Sequence, residues 1–243
     1  MRHLLKTAAA GSLLLILGAA GSVLAQDSAN KPDPKTSFFV TSVGSGKGAD
    51  LGGLAGADAH CADLAKAAGI PGAKTWRAYL STSGPGGVNA KDRIGKGPWY
   101  NVKGVMVASS VADLHSANNK LSKENSLTEK GGVVNGVGDT PNTHDMLTGT
   151  NEQGTLQQPM PIPPPPNAPA GTAPSPAPEN MTCNNWTSSA SGGNPRAMLS
   201  HLDRKGGGAA GSSWVAAHAS RGCSQPELVQ SGGAGLYYCF AAN

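Results

Sequence analysis

Short apolar segments recur along the chain, and the spacing of their apolar positions changes after the first of them. Thr36–Val43 is rich in β-branched and aromatic residues, a composition that predicts a buried strand. From Leu54 onward, apolar residues recur every three or four positions, which predicts a helix that ends at Gly69 and Pro71. The apolar face of this predicted helix comprises Ala57, Cys61, Leu64, Ala65 and Ala68.

The next segments favour strands and turns. Apolar and polar residues alternate in Thr75–Ser81, which predicts a half-buried strand with Arg77, Tyr79 and Ser81 pointing away from the core. Trp99–Ala108 predicts a hairpin that turns at Gly104, and either of the two serines that follow caps a short helix. Residues 83–142 are otherwise left unassigned. Three later segments predict short strands: Thr182–Ser189, Ala197–Leu202 and Gly235–Ala242.

The N-terminus has the pattern of a secretory signal. A basic start and an apolar stretch over residues 8–23 lead to small residues that end at Ala25. This pattern predicts a signal peptide of residues 1–25, followed by a short polar tether over residues 26–35. The protein is therefore expected to be secreted, periplasmic or at the cell surface, without a transmembrane segment after signal removal.

The composition excludes some classes of partner. Glycine accounts for 34 of the 243 residues, which predicts a fold rich in turns and loops. Without Arg2 and Lys6 of the signal, the formal net charge falls from +4 to +2. So small a charge does not favour nucleic acid or an anionic membrane as the partner.

The chain has 4 cysteines, and all of them follow the predicted signal peptide. In an exported protein this number predicts two structural disulfides, for which three pairings are open. No two cysteines have the C-x-x-C spacing of redox or zinc-ribbon motifs. The cysteines are Cys61, Cys183, Cys223 and Cys239.

Several segments together resemble the endostatin-like proteins. Phe38–Ser81 contains FFVTS, LGG, GADAHC and WRAYLS in the order found in endostatin, the C-terminal domain of certain collagens. LTGTNEQG, CNNWTSS and GLYYCF extend the resemblance, which is closer still to the leptospiral endostatin-like proteins. It covers most of residues 38–243 and is poor over residues 83–142.

The resemblance implies an α+β domain of the C-type-lectin-like fold, with two helices, a twisted antiparallel sheet and long loops. The nested disulfides of that family imply the pairs Cys61–Cys239 and Cys183–Cys223. Ten of the chain's 18 prolines lie in residues 157–178, between the two matching halves. We therefore expect one domain over residues 36–243, with residues 157–178 inserted as a polyproline-like loop.

The ligand sites of the related families transfer poorly. Gln225 and Glu227 flank Pro226, but they differ in order and position from the calcium ligands of sugar-binding lectins. Only Arg77 matches a heparin-binding arginine of endostatin, and no histidine lies between Gln26 and Ala59 to match its zinc site. Accordingly, the resemblance implies no cofactor and no metal.

The densest group of chemically active side chains lies mostly inside the predicted inner disulfide loop. Trp76 and Trp186 are expected to be core residues. The indole of Trp214 is expected instead to stack on a sugar face while Asp203, His218 and Arg221 supply hydrogen bonds. Alternatives are a metal site from His201, Asp203 and His218, a Ser220–His218–Asp203 nucleophile, or polar residues that merely hold the loop. The candidate ligand-binding residues are His201, Asp203, Arg204, Trp214, His218 and Arg221.

Together these features favour a monomeric binding module without enzymatic activity. The resemblance implies a lectin-like or adhesin-like protein whose partner is a glycan or an extracellular or cell-surface glycoprotein. The leptospiral relatives are associated with host matrix and complement-regulating proteins. The alternatives are a small extracytoplasmic hydrolase that uses His201, Asp203 and His218, and a structural envelope protein without a ligand.

Overall fold

The computed structural model describes residues 31–161, 164, 167–207 and 210–242, so the predicted signal peptide lies outside the described residues. None of the helices in this part of the chain is long and apolar enough to cross a membrane. The helices are α1 (Gly53–Ala67), α2 (Ala90–Arg93), α3 (Val111–Leu114), α4 (Cys183–Trp186) and α5 (Gln225–Ser231), with a 3-10 turn at Ala210–Ser212. The strands are β1 (Phe38–Val40), β2 (Trp76–Ala78), β3 (Trp99–Tyr100), β4 (Met106–Ala108), β5 (Asp145–Leu147), β6 (Met198–His201), β7 (His218–Ala219), β8 (Gly233–Leu236) and β9 (Tyr238–Ala241).

The two ends of the domain meet in an antiparallel sheet of order β1-β9-β2. The strands predicted at Thr36–Val43, Thr75–Ser81 and Gly235–Ala242 are confirmed in position. The expectation that Tyr79 and Ser81 face away from the core is wrong, because both side chains are fully buried. Tyr79 packs between Trp214 and Phe240, so the chain enters a second layer of the core directly after β2.

Helix α1 confirms the periodicity found in the sequence. It begins after Gly52, whose φ of 73° is a left-handed conformation that glycine adopts without steric cost. Ala57, Cys61 and Ala65 form its buried face. A disulfide joins Cys61 to Cys239 of β9, which fixes the helix to the terminal sheet.

Strands β3 and β4 form the predicted hairpin, with Gly104 in its turn. Ser110 caps α3, because its hydroxyl accepts a hydrogen bond from the backbone N–H of Asp113. Of the two serines that could cap this helix, Ser110 is therefore the one that does so.

A second sheet has the order β7-β6-β5-β8, in which β5 and β6 are antiparallel and β5 and β8 are parallel. Strand β6 lies within the predicted Ala197–Leu202 segment, and β5 falls just after the stretch that the sequence left unassigned. The described part of the chain is an α+β structure with three small sheets and two disulfides.

The strand predicted at Thr182–Ser189 is wrong. Cys183, Asn184, Asn185 and Trp186 all have positive φ and form one left-handed helical turn. Left-handed backbone costs about 1–2 kcal/mol for each residue that is not glycine, so other contacts must hold it. The Cys183–Cys223 disulfide, the Trp186 Nε1–H bond to the carbonyl of Ser81 and the bonds between Asn185 and Ser83 supply them.

Both disulfides have the nested pairing that the resemblance implied, Cys61–Cys239 and Cys183–Cys223. The described residues of the proline-rich stretch carry no helix or strand, and most of them are exposed. Residues on both sides of the stretch are joined in the terminal sheet and by the outer disulfide.

Replacement of residues 159–177 by a short Gly/Ser turn should leave the fold and both disulfides intact. A shorter loop lowers the entropy cost of closure, so we expect the free energy of unfolding to rise by about 1 kcal/mol. Urea unfolding and peptide mapping without reduction test this expectation. An unfolded product, or exchanged disulfides, would show instead that the stretch belongs to the folded core.

Candidate functional site

The register of the second sheet brings three ionisable side chains to one face. Asp145, the first residue of β5, lies directly opposite His201, the last residue of β6. His218 begins β7 and pairs with Leu199, two residues from His201 on the same strand. Residues opposite each other or two apart share a face of a sheet, so Asp145, His201 and His218 converge. His144 joins them from the position just before β5.

The Asp145 carboxylate is the centre of this cluster. Nε2 of His144 and Nε2 of His201 both lie 3.3 Å from its Oδ1, and Nε2 of His218 lies 3.4 Å from its Oδ2. The Asp145 side chain is completely buried, whereas His218 is 40% exposed. Both oxygens of Asp145 and Nε2 of His201 have no hydrogen-bond partner in the described part of the chain.

The other ring nitrogen of each histidine is already bound. Nδ1 of His144 lies 2.8 Å from Oδ1 of Asp203, and Nδ1 of His201 lies 2.9 Å from the carbonyl of Gly211. Nδ1 of His218 lies 3.1 Å from the carbonyl of Ala219. Carbonyl and carboxylate oxygens only accept, so each Nδ1 carries the proton. In a neutral ring the Nε2 lone pair then faces the Asp145 carboxylate.

Asp203 lies outside the central cluster and holds it in place. Besides His144, its carboxylate accepts hydrogen bonds from the backbone N–H groups of Val137 and Lys205. The alternative that made Asp203 a metal ligand with His201 and His218 is therefore corrected. Asp203 instead fixes the ring of His144, and Asp145 is the central carboxylate.

Two glycines allow the backbone to approach these supporting groups. A Cβ on Gly136 would collide with the Asp203 carboxylate, and a Cβ on Gly206 would lie 2.6 Å from Nδ1 of His201. Real Cβ atoms do not approach other atoms so closely, so a side chain at either position would displace the cluster. The glycine content of the chain thus contributes directly to the site.

The surroundings shift the pKa values of three members in different directions. Burial lowers the pKa of His201, and the hydrogen bond with the carbonyl of Gly211 and the charge of Asp145 offset only part of this effect. The side-chain contact with Asp145 raises the pKa of His218. Burial by itself raises the pKa of Asp203, but hydrogen bonds from Val137, His144 and Lys205 bring it below its usual range. His201 is therefore neutral and Asp203 ionised near neutral pH.

The spacing of the cluster matches the coordination shell of a transition metal. His144, Asp145 and His201 each place one ligand atom within 4.8 Å of the other two. A tetrahedral Zn²⁺ with bonds of about 2.0–2.1 Å has ligand atoms about 3.3 Å apart, and Nε2 of His144 and of His201 both lie 3.3 Å from the same oxygen of Asp145. The hydrogen bond from His144 to Asp203 is the carboxylate–histidine arrangement that orients metal-binding imidazoles.

Two other predicted residues lie at a separate polar cleft. Arg204 donates hydrogen bonds to Ser212 and Asn119 and borders a cavity of about 360 Å³ together with Trp214. Trp214 is only 4% exposed, because Tyr79, His115 and Tyr238 pack around its ring. A sugar cannot stack on an indole face covered in this way, so the stacking role expected for Trp214 is corrected. Trp76 and Trp186 are core residues, as predicted.

The remaining candidates stand apart from the cluster. Arg221 is exposed beyond β7, and its backbone N–H bonds to Ser231. Ser220 is buried, and its hydroxyl accepts a hydrogen bond from the N–H of Ala197 rather than joining His218 and Asp203 as a nucleophile. Gln225 and Glu227 bond to backbone groups or to Ser224, which is not a calcium-binding arrangement.

Sequence reasoning missed His144 and Asp145. They lie at the edge of the unassigned segment, and the available signal was weak: a His-Asp pair directly before the apolar residues Met146 and Leu147. Comparison of the chain with protein-family models and with curated proteins gives no match.

Proposed function

We propose that this protein is an exported binding domain built around a transition-metal centre, with Zn²⁺ as the best fit. His144, Asp145 and His201 are the buried ligands, and His218 completes the site from its exposed side. One observation carries the proposal: three imidazole Nε2 atoms, each with its Nδ1 already engaged, face a single buried carboxylate.

Hydrogen bonds between the histidines and Asp145 do not account well for this geometry. Charge-assisted hydrogen bonds between N–H and carboxylate groups are about 2.7–2.9 Å long, shorter than the 3.3–3.4 Å found here. The rings of His144 and His201 are also stacked, with centroids 4.2 Å apart and planes at 12°. Two imidazolium ions in that arrangement would repel each other. A cation bound between neutral rings and the carboxylate accounts for the long N–O distances and avoids the repulsion between charged rings.

The ligand types indicate which metal binds and in what role. Imidazole nitrogen favours Zn²⁺, Cu²⁺, Ni²⁺ or Fe²⁺ over Ca²⁺ and Mg²⁺, which require oxygen ligands. With His218 as the fourth protein ligand the site would be closed, and closed zinc sites are structural. We infer that the metal ties β5, β6 and β7 together and that the domain is not a hydrolase.

Metal stoichiometry tests the proposal. Chelator-treated protein should bind one Zn²⁺ per chain in equilibrium dialysis, and the His201→Gln variant should lose that binding. His60→Gln is the matched control, because His60 lies on α1, where its ring bonds to the carbonyl of Val43. Near-UV circular dichroism shows that each variant is folded. Zinc binding that survives in folded His201→Gln protein would refute the proposed centre.

Asp203→Asn should weaken zinc binding without abolishing it. The amide is nearly the same size, but it carries no charge to polarise the imidazole of His144. Loss of such supporting carboxylates costs about 10–100-fold in metal affinity. Competition with a chromophoric chelator measures the change. An unchanged affinity would mean that Asp203 only stabilises the loop that contains it.

We also propose that the α+β domain has the C-type-lectin-like, endostatin-like fold. The nested disulfides and the pairing of the first and last strands support this assignment. A glycan-binding or adhesin-like role is a second candidate function, favoured by the polar cleft that Arg204, Asn119 and Glu152 line. A glycan array probed with and without calcium tests it, and Arg204→Gln is the informative variant because Trp214 belongs to the core.

A further inference from the structure

A second cavity lies on the exposed side of His218. Its volume is about 330 Å³, within the lower range of small-molecule pockets. Three of the chain's 6 methionines line it, and two of these, Met181 and Met198, are buried in the core. Met160 contributes from the proline-rich stretch and is 55% exposed. The methyl groups of Ala217 and Ala219 extend the apolar wall.

One cationic side chain faces this apolar wall. Arg196 lines the same cavity and is half-buried. Its Nε and Nη1 donate hydrogen bonds to the carbonyls of Gly193 and Ser220, 2.7 and 3.1 Å away. These two bonds hold the guanidinium in place but use only two of its five N–H groups. Glu227 lies near enough to interact with the charge of Arg196, but no ion pair joins the two side chains among the described residues.

His218 also lines the cavity, but its ring nitrogens are not available to a ligand there. Its Nε2 faces Asp145 and its Nδ1 faces the carbonyl of Ala219, so neither nitrogen is directed at a ligand in the cavity. The cavity therefore combines a thioether and methyl lining with a single guanidinium. An apolar molecule with one negative charge is complementary to both features.

We propose that this cavity binds small monocarboxylates with a hydrocarbon tail, with the carboxylate at Arg196 and the tail among Met160, Met181 and Met198. The proposal does not rest on the metal centre. A carboxylate in a partly buried site gains a charge-assisted hydrogen bond that its neutral amide lacks. That difference corresponds to at least about tenfold in affinity.

The methionines themselves provide the readout. Protein labelled with ¹³C in the methionine methyl groups is titrated with hexanoate and, separately, with hexanamide, which has the same chain length without the charge. We expect saturable shifts of Met160, Met181 and Met198, while Met106 on β4 serves as the internal reference. Hexanoate should bind at least about tenfold more tightly than hexanamide.

Arg196→Gln should remove the preference for hexanoate, whereas Arg196→Lys should retain part of it. Arg77→Gln on β2 is the control and should behave as the wild type. Equal binding of the two probes, shifts shared by Met106, or no saturable shift up to about 10 mM hexanoate would overturn the proposal. Titrations with and without Zn²⁺ distinguish a failure of carboxylate binding from a failure of the metal centre, because zinc stoichiometry is measured in a separate experiment.

Discussion

Zinc should raise the free energy of unfolding of the wild-type protein by about 4 kcal/mol at a free concentration about one thousand times its dissociation constant. The Asp145→Asn variant should show no such increase. In the folded protein the proposed metal would bind three histidines and one carboxylate that the unfolded chain does not hold together. The amide lacks the negative charge that makes the Asp145 carboxylate a strong metal ligand.

The same substitution should have the opposite effect when metal is removed. The apo wild type buries the Asp145 carboxylate without a hydrogen-bond partner in the described part of the chain. The amide of the Asp145→Asn variant carries no charge, and its NH₂ group can donate to an imidazole Nε2. The apo variant should therefore gain about 1–3 kcal/mol over the apo wild type.

Urea unfolding at pH 7.5 with intact disulfides, with zinc or with a chelator, measures all four free energies. Asp63→Asn on the exposed face of α1 is the matched control and should follow the wild type in both conditions. A wild type that is indifferent to zinc would contradict the account. So would an apo variant that is several kcal/mol less stable than apo wild type.

The disulfide Cys61–Cys239 should stabilise the protein more than the disulfide Cys183–Cys223 does. Cys61 and Cys239 are 178 residues apart, so their bond restricts most of the unfolded chain, which corresponds to about 5 kcal/mol in the chain-entropy model. The inner bridge, with a separation of 40 residues, corresponds to about 4 kcal/mol. Either value is a large part of the net stability of a domain.

The double variants Cys61→Ala/Cys239→Ala and Cys183→Ala/Cys223→Ala test these values by urea unfolding. The first should be mostly unfolded at about 37 °C. The second should also bind zinc more weakly, because His201 and His218 both lie inside the loop that the inner bridge closes. A loss below about 1 kcal/mol in the first variant would show that packing alone holds α1 against β9.

Local patterns in the sequence predicted the elements whose structure is decided locally. Helix α1 and strand β2 follow from the spacing of apolar residues, β1 follows from its β-branched and aromatic composition, and the turn at Gly104 follows from one glycine. The left-handed turn at Cys183–Trp186 could not be predicted in this way. It exists because a disulfide and side-chain bonds to residues 81–83, about one hundred positions earlier, outweigh the local backbone preference.

Only part of the candidate site could be predicted from the sequence, again because local patterns do not report contacts between distant segments. His201, Asp203 and His218 stood out because they lie close together in the chain. Asp145 becomes their neighbour only through the pairing of β5 with β6, which no local pattern encodes. The expected role of Trp214 failed because its burial depends on Tyr79, His115 and Tyr238, each from a different part of the chain.

The most direct test of the metal centre is an anomalous difference map from crystals of zinc-loaded protein, collected on both sides of the zinc absorption edge. We expect one strong peak per chain, about 2.0–2.1 Å from Nε2 of His144, Nε2 of His201 and a carboxylate oxygen of Asp145, with His218 as the fourth ligand. No peak at this position, or a peak at His60 or His115 instead, would contradict it.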